Sequence, residues 1–282
     1  MKFLFILLLI LASFGVGLGI HAKFFSNIDE QSPIESIKEE LQRPLDKYSI
    51  ENLSASWRTE ISEGKFKIVR EITDEEKYIS YEFNFDFNPT LEKEDVKTMS
   101  GQINIPKEGD TFPLILMLRG YIDKEAFTTG DGTRKAAEFF AQNGFITVAP
   151  DFLGYGKSDE EAGNIFETRF QTYVTVLSLI KSLNQIENWN GKDIFIWGHS
   201  NGGHVALTTL EITYANYPTV LWAPVSKFFP YSVLYFTEDS ADGGKLIRKE
   251  LAKFEELYDA EKYSLTNYLD RISAPVLIQQ GE

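Results

Sequence analysis

The sequence predicts an α/β fold: a doubly wound, mostly parallel sheet, led by antiparallel strands and interrupted by a helical insertion. Across 54–105, aromatic and β-branched residues alternate with polar ones, most clearly in Tyr78-Ile-Ser-Tyr-Glu-Phe-Asn-Phe-Asp-Phe87. Such period-two patterning marks half-buried antiparallel strands. After Pro113 the pattern changes to short unbroken apolar runs at 114–118, 145–149 and 193–197, which suit strands buried on both faces. Helical stretches separate these runs at β-α-β spacing, and right-handed crossovers then give a parallel sheet.

The composition agrees. The chain has 282 residues, 43% of them hydrophobic, enough for a large core, so a wholly disordered chain is excluded. A net charge of −14 without clustered Lys and Arg argues against nucleic acid as a partner. With no cysteine there is no disulfide, no thiolate metal site and no Cys nucleophile. Histidine occurs three times, as His21, His199 and His204.

In chain order, Met1 and Lys2 precede an uncharged run at 3–20 rich in Leu, Ile and Phe. Residues 1–22 read as a signal peptide or a single N-terminal membrane anchor, either of which makes the protein exported. Residues 23–53 are polar and acidic and read as a linker, with a short helix starting at Ser32-Pro33-Ile34-Glu35. The domain proper is expected over 54–282. It contains strands at 114–118 and 145–149, with a helix at 133–142 that Asn143-Gly144 ends. The helix at 164–186 carries Phe166, Phe170, Tyr173, Val174, Leu177 and Ile180 on one face. A strand at 193–197, a helix at 202–212, and strands at 219–222 and 276–279 complete the pattern. Between the last two strands, about 225–271 forms a cap insertion with an aromatic run at 228–236 and an amphipathic helix at 245–258. It reads either as a cover for the site or as a packed decoration.

The chemistry lies in Trp197-Gly198-His199-Ser200-Asn201-Gly202-Gly203. A Gly-x-Ser-x-Gly placed directly between a buried strand and a helix is a strained turn. Its glycines keep side chains out of a crowded crossing, and the serine oxygen stands above the helix's positive end.

At these residues the chain resembles the α/β-hydrolase superfamily over roughly 76–282, and Ser200-Asn201-Gly202-Gly203 resembles its prolyl-oligopeptidase and dienelactone-hydrolase branch. Three further stretches agree: Leu118-Arg119-Gly120-Tyr121, Asp151-x-x-Gly154-x-Gly156-x-Ser158, and Ala274-Pro275 leading to Gly281. The resemblance implies Ser200 as nucleophile, with the backbone N–H groups of Tyr121 and Asn201 as oxyanion hole. It implies no cofactor and no metal. Arg119 stands where the family usually has His, and reads as a structural ion pair or a contact for a substrate carboxylate.

The same resemblance orders the triad as Ser, acid, His. His199 lies inside the turn and reads as a structural or pocket-wall residue. His204 reads as a core histidine or a candidate base, and His21 belongs to the leader. Glu282 comes too early for the acid. Asp239 and Asp242 read as solvated, or as holding a metal or a substrate amine. The acid and the catalytic histidine are therefore expected beyond Glu282, with the chain a C-terminally truncated piece. The expected function is a serine hydrolase acting on a small-molecule peptide or ester, most like the oligopeptidase branch. The alternatives are a carboxylesterase, or a silent membrane-tethered binding domain. Serine without its base loses on the order of a million-fold in turnover, so residues 1–282 alone should be nearly inactive. An ester assay on this length and on a longer one checks the expectation, and equal rates would overturn it.

Overall fold

A computed structural model describes residues 42–92, 95–235, 237, 240 and 242–281. The leader at 1–22, the helix start at Ser32, His21, Asp239 and Glu282 lie outside these residues. Among the described residues no helix is long and apolar enough to cross a membrane.

Residues Pro44–Glu282 form one compact unit around an eight-stranded sheet. The strands are β1 (Lys65–Asp74), β2 (Tyr78–Phe87), β3 (Lys97–Pro106), β4 (Phe112–Leu118), β5 (Ile146–Pro150), β6 (Trp189–His199), β7 (Thr219–Trp222) and β8 (Val276–Gln279). Their order is β1-β2-β3-β5-β4-β6-β7-β8. β1, β2 and β3 pair antiparallel, and β3 meets β5 antiparallel. From β5 through β4, β6 and β7 to β8 all pairs are parallel. This is the doubly wound, mostly parallel sheet with leading antiparallel strands that the sequence predicts. The unbroken apolar runs explain its centre: Leu114, Leu116, Ile146, Val148 and Ile196 are almost entirely buried.

The helices are α1 (Ile50–Thr59), α2 (Arg134–Gln142), α3 (Ile165–Lys181), α4 (Asn201–Thr213), α5 (Tyr231–Leu234) and α6 (Lys245–Leu257). On one sheet face, Ala137 of α2 packs against Ile115, Met117, Ala149 and Trp197. Over β7 and β8, Trp222 and Leu277 are more than half exposed. The larger cluster on the other face includes Leu53 of α1, Phe170 and Leu177 of α3, and Leu210 of α4.

Two boundaries differ from the sequence reading. Residues 44–53 are not linker, and strand does not begin at 54. Ser49 caps α1 by accepting from the Asn52 N–H at 3.3 Å. Ile50 and Leu53 are buried, and the Ser54 hydroxyl donates to the Ile212 carbonyl at the end of α4. Two buried apolar residues three apart are enough to seat so short a helix once a neighbour covers them.

The insertion packs onto α3. Phe229, Phe254 and Tyr263 meet Phe166 and Phe170 of α3 at centroid separations of 4.8–6.1 Å. Tyr258 and Tyr263 bind the backbone of Leu45: the Tyr258 hydroxyl accepts from its N–H, and the Tyr263 hydroxyl donates to its carbonyl. The Asp242 carboxylate accepts from the Leu246 and Gly244 N–H groups at the start of α6. These bonds, foremost that of Leu246, hold its pKa down, so helix capping replaces the metal or amine role considered for it.

Within α4, Glu211 is fully buried and neither carboxyl oxygen has a hydrogen-bond partner. Burial pushes its pKa up to about 9; Arg271 opposes the shift and Asp270 adds to it. The folded protein therefore holds a proton that the unfolded chain releases above about 4.5. This contribution is fully present below that pH and is lost as pH rises toward 9, at up to about 1.4 kcal/mol per pH unit. Glu211→Gln should flatten the slope and raise stability at pH 8 relative to pH 5. Urea unfolding followed by tryptophan fluorescence measures it, and an unchanged slope would contradict the assignment.

Candidate active site

The site is built where the carboxyl ends of β4 and β6 meet the amino end of α4. Trp197 and Gly198 of β6 pair with Met117 and Leu118 of β4, so the loops after both strands emerge side by side. β6 then runs into α4 with Ser200 as the only residue between them. Ser200 adopts φ 52° and ψ −117°, a conformation costly for a residue with a Cβ. The turn is held from three sides. The Ser200 N–H donates to the Trp222 carbonyl at 3.0 Å, and the Ser200 carbonyl accepts from Gly203 and Val225 at 3.0 Å.

Each glycine of the motif answers to a different neighbour. A Cβ on Gly202 would stand 1.9 Å from the Leu118 carbonyl oxygen, and one on Gly203 2.7 Å from Pro224 Cβ. On Gly198 it would meet Gly203 Cα at 2.8 Å. Gly120, in the loop after β4, lies so close that a Cβ there would be 3.0 Å from Ser200 Cβ. Tyr121 is the residue that follows Gly120 in this loop. Asn201 is the first residue of α4, and its N–H belongs to the first turn, which has no intrahelical acceptor. Tyr121 and Asn201 both line a cavity of about 370 Å³.

Arg119 is bound to backbone carbonyls and not to a carboxylate. It is buried, donating from Nη1 to the Gly120 carbonyl at 2.9 Å and from Nη2 to the Asp151 carbonyl at 2.7 Å. Its guanidinium lies 3.9 Å from the centroid of the Tyr155 ring, 4.8 Å from that of Phe127 and 5.5 Å from that of Phe152. It thus fastens the loop carrying Gly120 to the end of β5. The Asp151 carboxylate is held in turn by Ser100, Thr129 and the Gly130 N–H. Burial raises its pKa against those bonds. Gly156 has φ 60°, and a Cβ there would stand 2.5 Å from Asp151 Oδ2. The motif 151–158 is therefore a structural knot beside the site.

The histidines take other roles. His204 is buried, with Nε2 3.0 Å from the Tyr173 hydroxyl. Desolvation, helped by the charge of Arg169, drives its pKa well below the ordinary value, so it is a neutral core histidine. His199 lines a separate cavity with Trp197 and Trp222. Among the described residues, no side chain hydrogen-bonds Ser200 Oγ. Sequence reasoning passed over Arg169, whose Nη1 donates to Asn201 Oδ1 at 3.3 Å. The available signal was a charged residue adjoining the buried stripe Phe166, Phe170, Tyr173 of α3.

Gly202→Ala should break the strand–helix contact. Overpacking against rigid backbone costs about 1–3 kcal/mol or more, so a lowered unfolding midpoint and loss of any reactivity at Ser200 are expected. A variant with wild-type thermal stability would contradict this contact.

Residues 128–255 match the family described as serine aminopeptidase, S33. The acetyl esterase Axe7A of Xylanibacter ruminicola is 24% identical over 270 residues, covering 86% of this chain and 58% of that protein. The chain thus spans little more than half the length of this curated relative. In shape it is similar to acetyl xylan esterase 1 from Thermoanaerobacterium sp. JW/SL YS485, with TM-score 0.58 and 16% identity over 81% of this chain and 77% of that one. The acetyl xylan esterase from Paenibacillus sp. R4 gives TM-score 0.59 and 13% identity over 83% and 86%. These two structures speak for the fold alone. Sheet order and the likeness in shape together show the α/β-hydrolase fold.

Proposed function

We propose that this chain carries the nucleophile and oxyanion hole of a serine esterase that cleaves carboxylic esters through an acyl-enzyme. The observation that carries the proposal is the positive-φ conformation of Ser200, directly between β6 and α4 and packed against Gly120. In this reading Ser200 Oγ attacks the ester carbonyl while a base removes its proton. The carbonyl oxygen becomes an oxyanion that accepts from the Tyr121 and Asn201 N–H groups, each such donor contributing on the order of 3 kcal/mol to barrier lowering. The alcohol leaves with the proton, and water repeats the attack on the acyl-serine to release acid. The acid and histidine of the triad are carried, in this proposal, by polypeptide following residue 282. Residues 1–22 direct export.

The esterase is preferred to the peptidase that the sequence first suggested. The relative at 24% identity bears the name acetyl esterase, which supports a small acyl group. The family described as serine aminopeptidase, S33, supports peptide cleavage as the second reading. Treating the full-length protein with a fluorophosphonate probe should label Ser200, and Ser200→Ala should abolish labelling. p-Nitrophenyl acetate should then be turned over faster than aminoacyl anilides. Absence of labelling in a folded protein would overturn the hydrolase reading, and the reverse substrate preference would select the peptidase.

A further inference from the structure

One face of the sheet is bare toward its β8 border. Met117, Trp197, Val220 and Leu277 stand in register across β4, β6, β7 and β8. Ala136, Ala137 and Phe140 of α2 pack with the first two. Exposure then rises along the row, from 0% at Met117 and 7% at Trp197 to 56% at Leu277. Trp222, two residues on from Val220, is 52% exposed. Among these side chains lies a trough of about 400 Å³, whose walls include Phe145, Phe195, Val220, Val276 and Leu277. Apart from Thr219 and the Trp197 indole, every side chain lining it is apolar. The Thr219 hydroxyl already donates to the Tyr217 carbonyl at 2.8 Å. Trp197 also lines a second cavity, together with Trp222 and His199.

A wall so poor in hydrogen-bonding groups does not fit a sugar or a nucleotide. It fits the apolar stripe of an α-helix. Two strands about 4.8 Å apart match the width of one helix, so β7 and β8 offer one helix-wide seat beside α2. Parallel strands are ordinarily covered on both faces. β8, Val276-Leu-Ile-Gln279, has the composition of an interior strand. Leu277 and Ile278 point to opposite faces, and both are more than half exposed. An edge strand that shows apolar residues on both faces is an aggregation hazard that proteins avoid. The curated relative indicates where the cover comes from, since the match takes up only 58% of that protein. We propose that this trough is the seat of an amphipathic helix contributed by polypeptide following residue 282, lying along β7 and β8 beside α2. Trp222, whose carbonyl accepts from the Ser200 N–H at 3.0 Å, borders the seat. The helix thus packs against the strand end that fastens the serine turn. The inference shares with the esterase reading only the premise that polypeptide follows residue 282.

The test is photo-crosslinking in the full-length protein. p-Benzoylphenylalanine is placed at Leu277 in one variant. In another it is placed at Val69, an exposed residue of β1 at the opposite border of the sheet. After irradiation, mass spectrometry of the tryptic digest should join position 277 to a peptide from beyond residue 282 of the same chain. The yield should not depend on protein concentration, and position 69 should give no such product. In Leu277→Lys, hydrogen exchange in the captured segment should quicken by about tenfold or more, and Leu277→Met should keep the slow rate. Circular dichroism separates loss of the seat from global unfolding. Crosslinks between chains that grow with concentration would assign the trough to a second copy and overturn the inference. So would crosslinks confined to residues 1–281, equal capture from both positions, or a natural protein that ends at residue 282. Fluorophosphonate labelling of Ser200 is scored separately. Labelling without the crosslink removes the seat and leaves the esterase, and the crosslink without labelling does the opposite.

Discussion

Everything at the site depends on how closely the carboxyl end of β4 approaches the first turn of α4. The Leu118 carbonyl occupies the space where a side chain at Gly202 would begin. The loop after β4 then folds back until Gly120 touches Ser200. Two backbones at this spacing leave no room for side chains at Gly198, Gly202 and Gly120, and the serine is the one residue of the turn with a hydroxyl to offer. The strain at Ser200 is sustained because the surrounding backbone fixes it from both sides: its N–H is bound to β7, and its carbonyl to Gly203 and Val225. Geometry of this kind needs no reorganisation when charge develops, which is what makes backbone donors effective.

The second layer keeps that approach rigid. Arg119 joins the Gly120 carbonyl to the Asp151 carbonyl, and the Asp151 carboxylate gathers Ser100, Thr129 and Gly130. One cation thus ties the loop after β4 to the neighbouring strand end, through hydrogen bonds to carbonyls and contact with aromatic faces. On the cavity side, Arg169 donates from Nη1 to Asn201 Oδ1.

Much of this was legible in the sequence because its causes are local. Unbroken apolar runs foretold the buried strands, and period two foretold β2. Gly198, Ser200 and Gly202 foretold the turn, since its crowding is set by residues within a few positions of one another. Causes that act across the chain were not legible. α1 was taken for linker and strand because Ile50 and Leu53 acquire meaning only once α4 covers them. Asp242 looked like a solvated or metal-binding acid until α6 began beside it. Arg119 looked like an ion-pair residue because its partners are backbone carbonyls and rings contributed by a loop more than thirty residues away. Glu211 and Arg169 were passed over for the same reason: their environment is tertiary, and their burial has no sequence signature.

The most direct measurement is a crystal structure of the full-length protein after reaction with a diethyl phosphoryl ester. The account predicts phosphorus bonded to Ser200 Oγ, with a phosphoryl oxygen about 2.7–3.1 Å from the backbone nitrogens of Tyr121 and Asn201. A phosphoryl group on another residue, or one on Ser200 whose oxygen meets neither amide, would contradict it.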